Sequence, residues 1–179
     1  MIRMNNNLVK RLRTLIRSER GGALAELAIM VPFLAVMLAI VTEVGRYYQT
    51  YTTLAKSTRS SARYLSNHSL TTGEVARAVN LVVCGKLACS GGDELVKGVG
   101  SGPAISAANV CIERNTVDST ITVRIPRTND CNRVLNVNAP AGNPYTYQTL
   151  FNLGTLMGIP SFNFQLPISP RVTMFKVQV

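Results

Sequence analysis

Two adjacent glycines and one carboxylate carry the most suggestive chemistry of this chain. Gly21, Gly22 and Glu26 sit in RGGALAELAIMVPFLAVMLAIVT, residues 20 to 42, an otherwise small and apolar run. A carboxylate at mid-bilayer costs about 2.5 to 3.5 kcal/mol and less towards an end, so Glu26 calls for compensation. One reading is that Glu26 lies a turn inside the boundary and snorkels towards headgroups, or is protonated. The other starts from a cut between Gly21 and Gly22, which would create an α-amino group at Gly22 with Glu26 as fifth residue of the mature chain. In a bundle of such helices, the carboxylate of one subunit would meet the amino terminus of its neighbour, two buried charges compensating each other.

Cys84, Cys89, Cys111 and Cys131 form the second reactive set. An even count beyond a membrane argues for two disulfides; of the three connectivities, Cys84 with Cys89 and Cys111 with Cys131 closes the shorter loops. Zinc is the rival, and the weaker one, because Cys84-x₄-Cys89 is not followed by a second close pair and the single histidine, His68, is distant in sequence. That histidine lies in an NHS turn without a nucleophile elbow or a metal-binding pair beside it, so no catalytic residue, metal site or cofactor is expected. GVGSGP lacks the glycine spacing of a dinucleotide or phosphate loop.

The elements that must position these residues follow from pattern. From Gly22 to Thr42 the run is long enough, as a helix of about 31 Å, for one crossing of a bilayer's hydrocarbon core. Pro32 lies within it and predicts a kink or local unwinding. Ahead of the run stand Arg3, Lys10, Arg11, Arg13, Arg17 and Arg20 against Glu19 alone, the bias that holds an N-terminus in the cytoplasm. Leu8, Leu12, Leu15 and Ile16 would lie on one face of this leader against an anionic inner leaflet. The apolar run is too long for a signal-peptide core and IVTEVGRYY offers no small-x-small cleavage site, so the segment reads as a signal anchor. Without residues 1 to 21 the formal charge falls from +10 to +5, and the remaining basic residues are scattered without aromatic partners; nucleic-acid binding is excluded on that ground.

Beyond the run the helical period continues to about Ser66. Val44, Tyr47, Tyr48, Tyr51, Leu54, Ala55, Thr58, Ala62 and Leu65 form the expected inward stripe, with Arg46, Gln49, Thr50, Thr53, Ser57 and Ser60 opposite. The tyrosines suit either an interfacial belt or packing against the rest of the domain. A second helix is predicted from Thr72, its N-cap, to a stop at Gly85, and a surface loop from Gly85 to Ala108. NVCIER and TITVRIP then alternate around NTVDS as a hairpin with Ile121, Val123 and Ile125 on one face; PYTYQ and RVTMFKVQV are further strands, and Pro160, Pro167 and Pro170 confine LMGIPSFNFQLPISP to turns and edge segments. The reading is α+β, a long N-terminal transmembrane and amphipathic helix packed on a small antiparallel sheet, divided as basic leader 1–21, membrane helix 22–42 and exported domain 43–179.

The run RGGALAELAIMVPFLAVMLAIVTEVGR resembles the N-terminal signature of TadE-like proteins, pilin-like subunits of the tight-adherence or Flp pilus within the type IV pilus superfamily. Gly21, Glu26, Pro32 and Glu43-x-Gly45-Arg46 match in register; Ala62, Arg63 and Tyr64 are similar to the end of that family's first helix, and YTYQTLFNLGTLMGIP with RVTMFKVQV to its C-terminal strands. The resemblance implies a pilin-like fold, cleavage after Gly21 by a prepilin peptidase, and a pseudopilin or minor pilin that contacts other pilin-like subunits, an inner-membrane assembly platform and the lipid bilayer. It implies residence in the bacterial inner membrane, N-terminus cytoplasmic and C-terminal domain periplasmic, or in the extracellular pilus, and no enzymatic activity. The alternative expectation is an unprocessed single-pass anchor presenting a periplasmic binding domain in a secretion or envelope complex.

Overall fold

The computed structural model describes residues 19–98, 104–129, 131, 143–149 and 165–177. The expected leader face of Leu8, Leu12, Leu15 and Ile16, and residues 156 to 164 of the segment expected as turns and edges, lie outside the described residues. Helix α1 runs Glu19–Asn67, 49 residues without interruption. Alanine, leucine and valine are the commonest residues of its first half, and the hydroxyl residues of its second half are kept helical by bonding backwards. Thr42, Thr50, Thr58 and Ser60 each donate to a carbonyl four residues earlier at 2.9 to 3.1 Å. Residues 1–42 form one compact unit and 43–179 another. In the first, the described side chains of α1 stand largely exposed, with Leu24, Leu27, Ile29, Phe33 and Leu38 among the large apolar ones.

The second unit holds the core. From α1 it takes Leu54, Thr58, Ser61, Ala62 and Leu65, each 0% exposed. Helix α2, Thr72–Cys84, contributes Val75, Ala78, Val79, Val82 and Val83 at the three-four spacing of one helix face. Small side chains let the two helices meet: Ser61 Oγ donates to the Ala78 carbonyl at 2.8 Å, a buried bond that satisfies both groups. The predicted inward stripe on α1 is therefore corrected. Ser57, placed on the outer side, is buried, whereas Val44, Tyr48 and Tyr51 are exposed. The apolar side chains alone did not choose the face; the close approach of α2 did, by selecting serine, threonine and alanine.

The N-cap of α2 is Thr71 rather than Thr72, its hydroxyl accepting from Glu74 N at 3.5 Å. Gly85 ends the helix as predicted, in the left-handed region at φ 69°, its N–H donating to the Leu81 carbonyl at 3.1 Å. The loop after it is tied back by Leu95 N to the Val83 carbonyl at 2.8 Å and contributes Ile105 to the core, more than a surface loop would. A 3₁₀ turn, Ala107–Asn109, leads into the sheet.

Strands β1 (Cys111–Asn115), β2 (Thr120–Arg124) and β5 (Arg171–Phe175) form an antiparallel sheet in the order β1-β2-β5; β3 (Thr146–Gln148) and β4 (Gln165–Pro167) form a separate antiparallel pair. The small sheet is thus two pieces. In the hairpin, Ile112 faces Val123 and Arg114 faces Ile121, which puts Ile121, Val123 and then Ile125 into the core. The turn is closed by Asn115, which accepts from Val117 N at 3.0 Å and donates to Asp118 at 2.6 Å, with Ser119 at φ 49° completing it. The end of α1 is fastened to the end of the sheet, since the Ser66 carbonyl accepts from Val177 N at 3.0 Å.

Gly85→Ala is expected to cost about 1 to 2 kcal/mol, because a Cβ there meets a strained positive φ and Leu95 Cδ2 at 3.2 Å. Chemical denaturation of the detergent-solubilised chain checks this, and a neutral result would show that Leu95 and the cap both give way freely.

Candidate functional site

Helix α1 carries the first group of expected site residues. It is helical from Glu19 onward, so the Gly21–Gly22 bond lies within it, and Gly22 has open space where a Cβ would project. Glu26 is exposed one turn further on and, among the described residues, has neither ion pair nor hydrogen bond. Pro32 lies inside α1, and the residues on both sides of it remain helical. The portion from Gly22 onward is long and apolar enough to cross a membrane, with a mean hydropathy of 2.5 over its most apolar 18 residues.

The cysteines form the second group. Cys84 is bonded to Cys89 and Cys111 to Cys131, each pair with Cα atoms 5.9 Å apart. The first bond staples the C-terminus of α2 to the loop that follows; the second holds Cys131 to the start of β1. Paired cysteines have no thiolates left for zinc, and among the described residues no three of His, Cys, Asp and Glu come together. His68 is exposed and stacks on Tyr64 with ring centroids 4.1 Å apart; Tyr64 in turn donates to Glu74, which pairs with Arg77 at 2.9 Å.

A third group was not read from the sequence. Glu43, the first residue after the apolar run, is only 5% exposed, and Tyr147 of β3, equally buried, donates its hydroxyl to Glu43 Oε2 at 2.8 Å. Tyr47, one turn along α1, meets the Tyr147 ring edge-on at 5.6 Å. Packing against the domain is thus what Tyr47 does, while Tyr48 and Tyr51 remain exposed. Burial, and next the hydrogen bond and charge of Glu43, push the Tyr147 hydroxyl up to about 12. The signal available in sequence was the position of Glu43, a carboxylate immediately after an apolar span; its partner 104 residues away had none.

The outer face of the three-stranded sheet is polar by register. Arg124 pairs with Glu113 at 2.8 Å, and the Thr122 and Thr173 hydroxyls bond across β2 and β5 at 2.9 Å. Glu113, Thr122 and Thr173, with Arg171 and Phe175, border an open groove of about 600 Å³.

Residues 21–63 match the model of a protein family described as TadE-like protein. The match begins at the first of the two glycines, takes in Glu26, Pro32, Glu43 and Gly45, and ends within α1, so it covers less than half of the chain. No curated protein and no solved structure matches the chain.

Tyr147→Phe is expected to destabilise the domain by about 1.5 to 3 kcal/mol at neutral pH, the worth of a hydrogen bond to a charged group. A hydroxyl whose folded pKa is raised contributes stability that is complete below pH 10 and is lost as pH climbs towards about 12. The difference in unfolding free energy between parent and variant should accordingly hold steady up to pH 10 and shrink above it. A difference independent of pH over that window would mean that Tyr147 acts through packing alone.

Proposed function

We propose that this chain, TadE-like from residue 21 to 63, is a pseudopilin or minor pilin of a tight-adherence, Flp-type pilus system. It is held in the bacterial inner membrane by α1, with the basic leader in the cytoplasm and residues 43–179 in the periplasm. A prepilin peptidase cuts after Gly21, and the mature chain then works in pilus assembly, adherence or secretion. Its partners are other pilin-like subunits and the inner-membrane assembly platform. The role is structural, not catalytic. The observation that supports this best is Glu26: an exposed carboxylate in an apolar helix, five residues after the glycine at which the family match begins. The new α-amino group of a neighbouring subunit supplies the positive charge that Glu26 lacks.

One observation favours a second reading. The helix runs unbroken through Gly21 and Gly22, whereas a peptidase needs an accessible, locally extended bond. Two glycines make that unwinding inexpensive, each being about 0.8 to 1 kcal/mol less favourable in a helix than alanine, and the primary reading takes them as the hinge that presents the bond. In the alternative the helix stays intact and the chain remains an uncut single-pass anchor for a periplasmic domain in a secretion or envelope complex.

Intact mass and N-terminal sequencing of membrane-extracted protein decide between the two: processing predicts a mature chain beginning at Gly22. Gly21→Val should abolish that form. Glu26→Ala should leave cleavage largely intact and weaken assembly, because its carboxylate acts only once the amine exists. Assembly equal to the parent's in Glu26→Ala would remove the charge-pairing role, and a full-length chain in functioning cells would remove processing altogether.

A further inference from the structure

Packing assigns the two faces of β5. Val172 and Met174 pack against the core, so Arg171, Thr173 and Phe175 share the outer face of the sheet. Strand β2 sets their neighbours, with Arg124 opposite Arg171, Thr122 opposite Thr173 and Thr120 opposite Phe175. Four residues of strand place Arg171 and Phe175 about 13 Å apart, with Thr173 midway. All three border the open groove of about 600 Å³, a volume in the range of ligand sites.

The charges around the groove are unequally satisfied. Glu113 is held by Arg124 at 2.8 Å, and Asp118 accepts from Asn115 at 2.6 Å. Both carboxylates are thus engaged inside the chain, whereas the exposed Arg114 and Arg171 have no ion pair or hydrogen bond among the described residues. Arg171 also stands directly across the ladder from Arg124. Like charges opposite each other on a sheet face repel, and Glu113 is already spent on Arg124. A guanidinium held against that repulsion, with no partner of its own, is a free fork of donors for an anion.

The rest of the face narrows the kind of anion. Phe175 is 76% exposed at the far end of β5 from Arg171. One exposed apolar residue is ordinary by itself; on the same face as the free fork it adds a flat ring to a charge. Between the two, the bond joining Thr122 and Thr173 uses one hydroxyl hydrogen and leaves the other, with spare lone pairs, for a ligand. A sugar ring matches both features, because its hydroxyls donate as well as accept and its C–H face suits the negative face of an aromatic ring. An acidic peptide matches less well. Its backbone N–H groups need acceptors, the carboxylates here are engaged, and a peptide that pairs with a strand does so along an edge and not on a face.

We infer that this groove binds an acidic saccharide chain, one sugar's carboxylate on Arg171, a further ring on Phe175 and a hydroxyl on Thr173. The separation of about 13 Å puts the carboxylate and the stacked ring on different sugars, so the ligand is an oligomer. This names a partner for the adherence within the function proposed above, and it rests on the export of residues 43–179 and not on cleavage after Gly21.

The test is equilibrium binding of a short galacturonic acid oligomer to the detergent-solubilised full chain. The parent should bind it, and should bind the methyl-esterified oligomer, which has the same rings without the charge, about tenfold less tightly. Arg171→Gln and Phe175→Ala should each weaken binding of the acid about tenfold, and Arg59→Gln, an exposed arginine of α1 that does not border the groove, should leave it unchanged. The unfolding temperature of Arg171→Gln should hold or rise, because the change removes a like charge opposite Arg124. No binding, equal binding of acid and ester, undiminished binding in either groove variant, a lowered unfolding temperature in Arg171→Gln, or binding of polyglutamate or phosphatidylglycerol vesicles in place of the oligomer would each overturn the inference. The N-terminus is sequenced in the same preparation. An uncut chain that binds keeps this site and removes processing; a cut chain that does not bind removes the site and leaves processing standing.

Discussion

In hydrocarbon every backbone N–H and C=O must find its partner within the chain, and for a single crossing only a helix provides that. The same helix, α1, is then obliged to work in water, because it runs without interruption from Glu19 to Asn67. Its two halves solve different problems with different residues. In the first half leucine, methionine and alanine satisfy lipid on all sides, and no direction around the axis is special. In the second half one face has to be removed from water, and the residues that accomplish this are small: Ser57, Thr58, Ser61 and Ala62, with Leu54 and Leu65 at the ends. Hydroxyls are tolerated there because each returns its proton to a nearby carbonyl or, at Ser61, to α2.

Much of the rest depends on that stripe. Helix α2 approaches closely enough for a hydroxyl on α1 to reach its backbone, and its valines then fill the space up to the inner face of β1 and β2. The disulfides act at the edges of this core: Cys84–Cys89 fixes the loop that leaves α2, and Cys111–Cys131 fixes the chain to the strand that begins the sheet. Both close short stretches, 5 and 20 residues apart in sequence, so in the chain-entropy account they limit the unfolded ensemble only locally, and the core carries the fold.

How much of this was legible in the sequence follows the range of the interactions. The C-terminal end of α1, the ends of α2, the Gly85 stop and the turn at NTVDS are written in spacings of a few residues and were read to within a residue or so, whereas α1 starts three residues before the expected Gly22. The face of α1 was not. Tyrosine at 47, 48 and 51 and valine at 44 spread apolar character around the helix, and only the approach of α2 and β3 determines which of them is covered. The division of the sheet was hidden for the same reason: Tyr147 pairs with Leu166 and Val123 with Val172, contacts that local pattern does not specify. At the candidate site, Gly21, Gly22 and Glu26 were visible because they break an apolar run, whereas the bond from Tyr147 to Glu43 joins residues 104 apart.

The two carboxylates that bracket the apolar run are consequently different in kind. Glu43 is buried and accepts from Tyr147, whose ring meets Tyr47 edge-on. Its cost of burial is met inside its own chain, which makes it an anchor for β3 on α1. Glu26 has no such neighbour among the described residues, and a helix in lipid cannot fold back on itself to provide one. A charge that its own chain cannot compensate is retained only if something outside the chain does so, and in lipid that means headgroups or another protein. The two acids thus differ in what the fold does for them: the one at the exit of the span is satisfied by folding, and the one near its start is exposed.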